Sequence, residues 1–355
     1  MIQHVSGRFR LLACLLALVL ALGAAGCREA PQPVVYPDDG YGFAAGAAQI
    51  WMNDEDSRRE LDAVAETGAQ WLRVHIDWQF IEPVKGQFNW SYADRWINGA
   101  RDRGLQVLGL VVNTPEWARA PGAPIYAPPE RTSDFSEFVT EVVKRYQARI
   151  WNWEIWNEPN LPRFMGFSEV RPRRYVDMLR TAYQAIKVIQ PQSTVIAAGL
   201  SRAVGVDAPP NFVNDMYIAG AKGFFDALAM HPYAYPNGKD ADLYNGWSDI
   251  ARVHDIMTVH GDGHKKIWMT ELGAPTSDTT DEAVTQEEQA RQIVDVLAGL
   301  HRSGYSGPAF IFSIRDTNSA DPDDVEDNFG ALLTSDWQPK YTAVVLARPP
   351  DGGWR

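Results

Sequence analysis

From about residue 41 onward, short apolar runs of β type alternate with amphipathic stretches of helical spacing. Strands are predicted near 41–46, 71–77, 105–112, 151–158, 193–200, 224–231, 266–271 and 308–314. Between them the period changes from two to 3.6. Phe135, Phe138, Val139, Val142, Val143 and Tyr146 recur at i, i+3, i+4, i+7, i+8 and i+11, which lines them along one helix face. Thr285 and Glu288 have capping-box spacing, and Ala290, Ile293, Val294 and Leu297 follow on one face. A helix over 173–190 is stopped by Pro191. Further helices fit 55–68, 91–103, 211–222, 247–260 and 340–347.

Repeated βα alternation calls for a parallel sheet. Eight units of nearly regular length favour a closed barrel over an open sheet. The expected fold class is therefore α/β, a single (β/α)8 TIM barrel over 40–350. Its longest irregular stretches, 113–132 and 314–340, follow strands three and eight, on the face where such barrels carry their chemistry. Gly42 and Gly46 after the first strand lack the spacing of a dinucleotide fingerprint.

The first 26 residues read differently. Arg8 and Arg10 precede an apolar run over 11–25, followed by small residues, which is a signal-peptide pattern. The run is shorter than the ~20 residues of a spanning helix. Ala24-Ala25-Gly26-Cys27 resembles the lipobox of bacterial lipoproteins, which implies cleavage before Cys27 and a lipid anchor on its sulfur. A plain signal peptide is the alternative. Residues 27–39 then form a tether. The protein is expected in the cell envelope, membrane-anchored and outside the cytoplasm, or otherwise secreted.

Composition narrows the function. The formal charge is −12, and loss of Arg8 and Arg10 takes it to −14. Such a surface repels phosphate backbones, so nucleic acid is not an expected partner. It also resists polyanionic substrates unless the cleft is locally basic. The two cysteines, Cys14 and Cys27, both precede the barrel, which excludes a thiol nucleophile or cysteine metal site within it. The His260-Gly-Asp-Gly-His264 segment precedes strand seven, at the wrong end for catalysis, and reads as a turn rather than a metal site. No metal or cofactor is called for, and a monomer is the default.

Two strands end in glutamate. Strand four runs into Trp156-Asn157-Glu158-Pro159-Asn160, and strand seven into Trp268-Met269-Thr270-Glu271. Three βα units apart, they face each other across a barrel mouth. Retaining cleavage of a glycosidic bond needs two carboxyls ~5–5.5 Å apart, one to protonate the leaving oxygen and one to attack. Arg73, His75 and Asp77 share one face of strand two. Arg73 is a donor for a carboxylate in the cleft, or a buried partner of Glu154 or Asp77. His231 and Tyr233 end strand six, as site residues or barrel filler. Asn113 ends strand three, as a ligand or a turn cap. Asn157 and Glu158 are adjacent, so a bulge is needed to aim both inward. Trp78, Trp117 and Trp156 are the indoles expected at the cleft, against the alternative of strand–helix packing. Trp268 has the parity opposite to Glu271 and is expected to face outward.

These segments resemble the clan A retaining glycoside hydrolases. The carriers are W-N-E-P, the strand-ending Thr270-Glu271, Arg73, His231-Pro232-Tyr233, the segment from Trp78 to Trp90, and Asn328-Phe329-Gly330 with Pro339-Lys340. The likeness covers about 40–347 and is closest to families 39 and 5. It implies Glu158 as acid/base, Glu271 as nucleophile, Asn157 beside the reacting carbon, and Arg73 and Tyr233 orienting Glu271. The sequence over 310–316 lacks the strand-eight tryptophan of many clan members, which leaves Arg315 and Asp316 as binding candidates there. The implied substrate is a carbohydrate polymer cut internally. An exo-acting β-xylosidase or β-glucosidase is one alternative, and a non-catalytic carbohydrate-binding surface lipoprotein is another.

Overall fold

The computed structural model describes residues 34–166 and 171–347. The signal segment 1–26, Cys27, the tether up to residue 33 and the end of the predicted barrel span, 348–350, lie outside the described residues. Among the described residues no helix is long and apolar enough to cross a membrane.

Eight parallel strands close a barrel in sequence order. They are β1 (Tyr41–Ala44), β2 (Trp71–Asp77), β3 (Gln106–Val112), β4 (Asn152–Ile155), β5 (Thr194–Ser201), β6 (Ala227–His231), β7 (Ile267–Leu272) and β8 (Ser306–Phe312). The long helices that return the chain are α1 (Asp54–Glu66), α2 (Ser91–Asp102), α3 (Thr132–Tyr146), α4 (Arg171–Ile189), α5 (Pro209–Ile218), α6 (Ser248–Val259), α7 (Gln286–Ser303) and α8 (Tyr341–Leu346). The predicted stripe from Phe135 to Tyr146 is buried along α3. Thr285 caps α7, its side chain accepting from the Glu288 amide.

The strands are buried on both faces. Their outer residues, such as Val74, Trp153, Val195, Met230 and Ile311, join the helix-facing core. Inside the barrel, Trp71, Trp268 and Phe310 pack edge-on or stacked at 5.3–6.3 Å and plug the floor with Leu108, Ile196, Ala227 and Ala229. Trp268 therefore faces inward, which corrects the expectation from Glu271's parity. Between Met269 and Leu272 the β7–β8 ladder shifts register, so strict alternation does not hold at Glu271.

Glycines make room for this floor. An added Cβ at Gly307 would lie 2.5 Å from the Trp268 ring, and at Gly42 2.1 Å from the Trp71 carbonyl oxygen. The second neighbour is backbone and cannot rotate away. Gly42→Ala is accordingly expected to lower stability by about 1–3 kcal/mol or more. Urea denaturation checks this as a lower midpoint at unchanged slope.

Candidate active site

β4 stops at Ile155, three residues earlier than the sequence pattern suggests. Trp156 and Glu158 then adopt positive φ, 74° and 42°. Each such residue costs of order 1–3 kcal/mol unless its surroundings hold it. They do: the Trp156 amide donates to the Val111 carbonyl at 2.9 Å, and the Glu158 amide to the Gly199 carbonyl at 3.1 Å. Asn160, fully buried, donates to the Ser201 and Asp207 carbonyls, both at 2.8 Å. This turn, rather than a bulge, aims both Asn157 and Glu158 into the cleft.

Arg73 lies in the barrel interior with no exposure. Its Nε and Nη2 donate to Glu154 at 2.6 and 3.2 Å, its Nη1 to Glu271 Oε1 at 2.6 Å, and Nη2 also to Asn157 Oδ1 at 3.1 Å. Both readings of Arg73 hold together: it is buried against Glu154 and it grips Glu271. The Tyr233 hydroxyl donates to the other Glu271 oxygen at 2.7 Å. Burial alone would raise the Glu271 pKa, but His231, Arg73 and Tyr233 outweigh it and hold the carboxyl down at about 2.

The second carboxyl has a different neighbour. His231 Nδ1 lies 2.9 Å from Glu158 Oε1, and its Nε2 lies 3.1 Å from Thr270 Oγ1. The Thr270 hydroxyl donates to Glu154 at 2.8 Å, so its oxygen is left to accept from His231 Nε2. With Nε2 carrying hydrogen, one proton lies between Nδ1 and Glu158. Burial opposes charge on His231, yet the Glu271 and Glu158 carboxylates raise its pKa overall. Gly199 makes the stack possible, because a Cβ there would sit 2.1 Å from His231 Nε2.

Oxygens of Glu158 and Glu271 and the ring nitrogen of His231 lie within 4.8 Å of one another. The three groups are already engaged by Arg73, Tyr233 and the shared proton, so the set is built for carboxyl chemistry. One oxygen of each glutamate therefore lies within 4.8 Å of the other, nearer the ~5–5.5 Å of direct attack than the ~6.5–9.5 Å that leaves room for an intervening water.

These groups open into a cleft of about 600 Å³ at the C-terminal ends of the strands. His75 lines it, neutral because burial and Arg73 push its pKa down to about 3, with Nε2 unpaired among the described residues. Asn113 lines it too, at φ 66°, donating at 2.5 Å to Asp77, whose pKa burial raises to about 7. A second cavity, of about 720 Å³, opens at the opposite mouth, among the strand starts and His264. His260, beside it in sequence, stacks on Tyr217 at 4.1 Å.

Several expected residues lie elsewhere. Trp78 is fully buried, stacked on Phe138, and Trp117 packs edge-on against it at 5.5 Å. Trp156 is fully buried against Phe135. All three pack against the α3 rings or against one another rather than line the cleft. Arg315 reaches Glu60 at 2.7 Å and Trp337, while Asp316 pairs with Lys340 at 3.0 Å, so neither lines the cleft. Besides Tyr233, the aromatic rings that line it are Tyr126, Phe164, Tyr235, Phe312 and Phe329. Phe312 ends β8, in the strand where a tryptophan was missing. Glu154, Thr270 and Gly199 were not singled out as site residues. For Glu154 the available signal was a lone acid inside an apolar strand.

A family model described as cellulase (glycosyl hydrolase family 5) matches residues 36–306. Endo-1,4-beta-xylanase 1 of Gibberella zeae is 27% identical over 117 residues, 32% of each chain. A family 39 glycoside hydrolase from the gut symbiont Bacteroides cellulosilyticus WH2 superposes with TM-score 0.70 at 23% identity, over 88% of this chain and 64% of that one. A monomeric beta-xylosidase from Caulobacter crescentus CB15 gives 0.66 at 16% identity, over 88% and 68%. A GH5_18 protein from Streptomyces cattleya in complex with GlcNAc gives 0.66 at 16%, over 89% and 80%. The chain thus spans about a third of the curated relative and under two thirds of the family 39 structure.

Two outcomes follow from the geometry. Glu154→Gln leaves the buried Arg73 charge with a single carboxylate partner and should destabilise the protein by about 3 kcal/mol, read by urea denaturation. Tyr233→Phe removes a donor from the ionised Glu271, which raises its pKa. The acid limb of kcat/KM should move to higher pH, and kcat/KM at neutral pH should fall about 10- to 100-fold.

Proposed function

The chain belongs to glycosyl hydrolase family 5, and on that footing we propose that it hydrolyses β-glycosidic bonds with retention of configuration. Glu271 is the nucleophile and Glu158 the acid/base. The observation that carries this is Glu271, held ionised between Arg73 and Tyr233, with one oxygen of the His231-bonded Glu158 within 4.8 Å of it.

In the first step Glu271 attacks the anomeric carbon while Glu158 gives its proton to the leaving oxygen. Arg73 holds one oxygen of Glu271, and the other becomes the ester bond as the Tyr233 contact loosens. Asn157 Oδ1 is occupied by Arg73, so its amide hydrogens face the hydroxyl beside the reacting carbon. In the second step Glu158 takes a proton from water, which attacks the glycosyl ester and frees Glu271.

We favour internal cleavage of a poly- or oligosaccharide. Supporting this, aromatic rings line the cleft in two groups, Tyr126 with Phe164, and Tyr235 and Phe312 with Phe329, which offers more than one face for a sugar to stack on. Export and lipidation at Cys27 complete the reading and suit a polymer outside the cytoplasm. Mass spectrometry of the mature N-terminus should find Cys27 acylated.

Glu158→Ala and Glu271→Ala should each cut hydrolysis of an aryl β-glycoside with a good leaving group by at least about a hundredfold. Azide should rescue both, giving the β-glycosyl azide with Glu158→Ala and the α-azide with Glu271→Ala. Unchanged hydrolysis in either variant would overturn the assignment.

A further inference from the structure

The protein is strongly acidic, at −12, yet one wall of its cleft is not. Arg163, on the loop after β4, and Arg202, just after β5, both line the cavity. Among the described residues neither has a carboxylate within ion-pair distance, unlike Arg73 deeper in the same barrel mouth, which is held by Glu154 and Glu271. Arg202 lies over Tyr235 at 4.3 Å and Tyr244 at 4.7 Å, and donates to the Tyr233 and Tyr235 carbonyls. Arg163 is exposed, 5.5 Å from the Tyr126 ring centre and 5.6 Å from that of Phe164. The acidic lining group away from the catalytic pair is Glu326, on the loop after β8. Away from the catalytic pair the cleft's polarity is therefore cationic, with two arginines, after β4 and β5, against one carboxylate.

That polarity has a direction relative to the reaction. Glu158 protonates the leaving oxygen, and Arg163 follows it by five residues on the same loop. We propose that Arg163, backed by Arg202, recognises an anionic substituent on the leaving-group side of the substrate, so that the natural glycan carries acidic sugars. A guanidinium held over aromatic rings presents a planar fork that matches a carboxylate. The proposal rests on the hydrolase reading and deepens it by naming a substrate class. Uronic carboxylates and acidic ester or ketal groups share this chemistry, and a panel of such glycans would distinguish them.

The test uses matched aryl β-glycosides whose phenols carry either a carboxylate or the neutral carboxamide, in meta and para series. The readout is the ratio of kcat/KM for carboxylate over carboxamide, which cancels intrinsic leaving-group reactivity when variant and wild type are compared. Arg163→Gln should lower this ratio about three- to tenfold, mostly through KM, as expected for a solvent-accessible charge pair. Arg163→Lys should retain most of it, and salt should shrink the wild-type ratio. An identical ratio in wild type and Arg163→Gln, in both series, would overturn the proposal while leaving hydrolysis intact. Failure of wild type to cleave either glycoside would overturn the hydrolase reading, and the proposal with it.

Discussion

The buried charge of Arg73 is the constraint around which the site is organised. A guanidinium removed from water costs several kcal/mol unless its donors are satisfied and its charge is met. Here Glu154 accepts twice and Glu271 and Asn157 once each. Two carboxylates against one guanidinium leave negative charge in the barrel. That excess favours keeping a proton on the neighbouring Glu158–His231 pair. The same interaction thus keeps Glu271 ionised, while Glu158 meets His231 instead of a guanidinium, so position rather than residue type sets the two glutamates apart.

Rigidity comes from the layers beneath and beside it. The floor of Trp71, Trp268 and Phe310 closes the barrel below Arg73. Thr270 and Gly199 then fix the His231 ring, one by accepting its Nε2 hydrogen and the other by having no side chain. The strained turn from Trp156 to Asn160 is tied to β3 and β5 by backbone and Asn160 hydrogen bonds. Positive φ at Trp156 and Glu158 is tolerated because these contacts over-determine it.

The barrel was legible from period alone, since eight apolar runs separated by amphipathic helices have few other solutions. The carboxyl pair was legible because each acid ends an apolar run. Ring placement was not: Trp78, Trp117 and Trp156 are as apolar as cleft platforms, and only three-dimensional packing sorts them. Parity failed at Trp268 because the β7 ladder shifts beside Glu271. Arg315 and Asp316 were misplaced for a related reason, since their partners Glu60 and Lys340 lie 255 and 24 residues away. Gly199 carries no sequence signal, as its role is an absence of atoms beside His231. The conditional exclusion of acidic substrates from net charge meets a locally cationic wall at Arg163 and Arg202.

In the mechanism we propose, function follows from two carboxyls in unlike surroundings, one attacking the carbon whose oxygen the other protonates. The stereochemistry of the first product reads this most directly. Proton NMR of a β-glycoside digest, recorded before mutarotation, should show the β-anomer of the released sugar accumulating first. Initial release of the α-anomer would mean that water, not Glu271, attacks the substrate, and would contradict the double displacement.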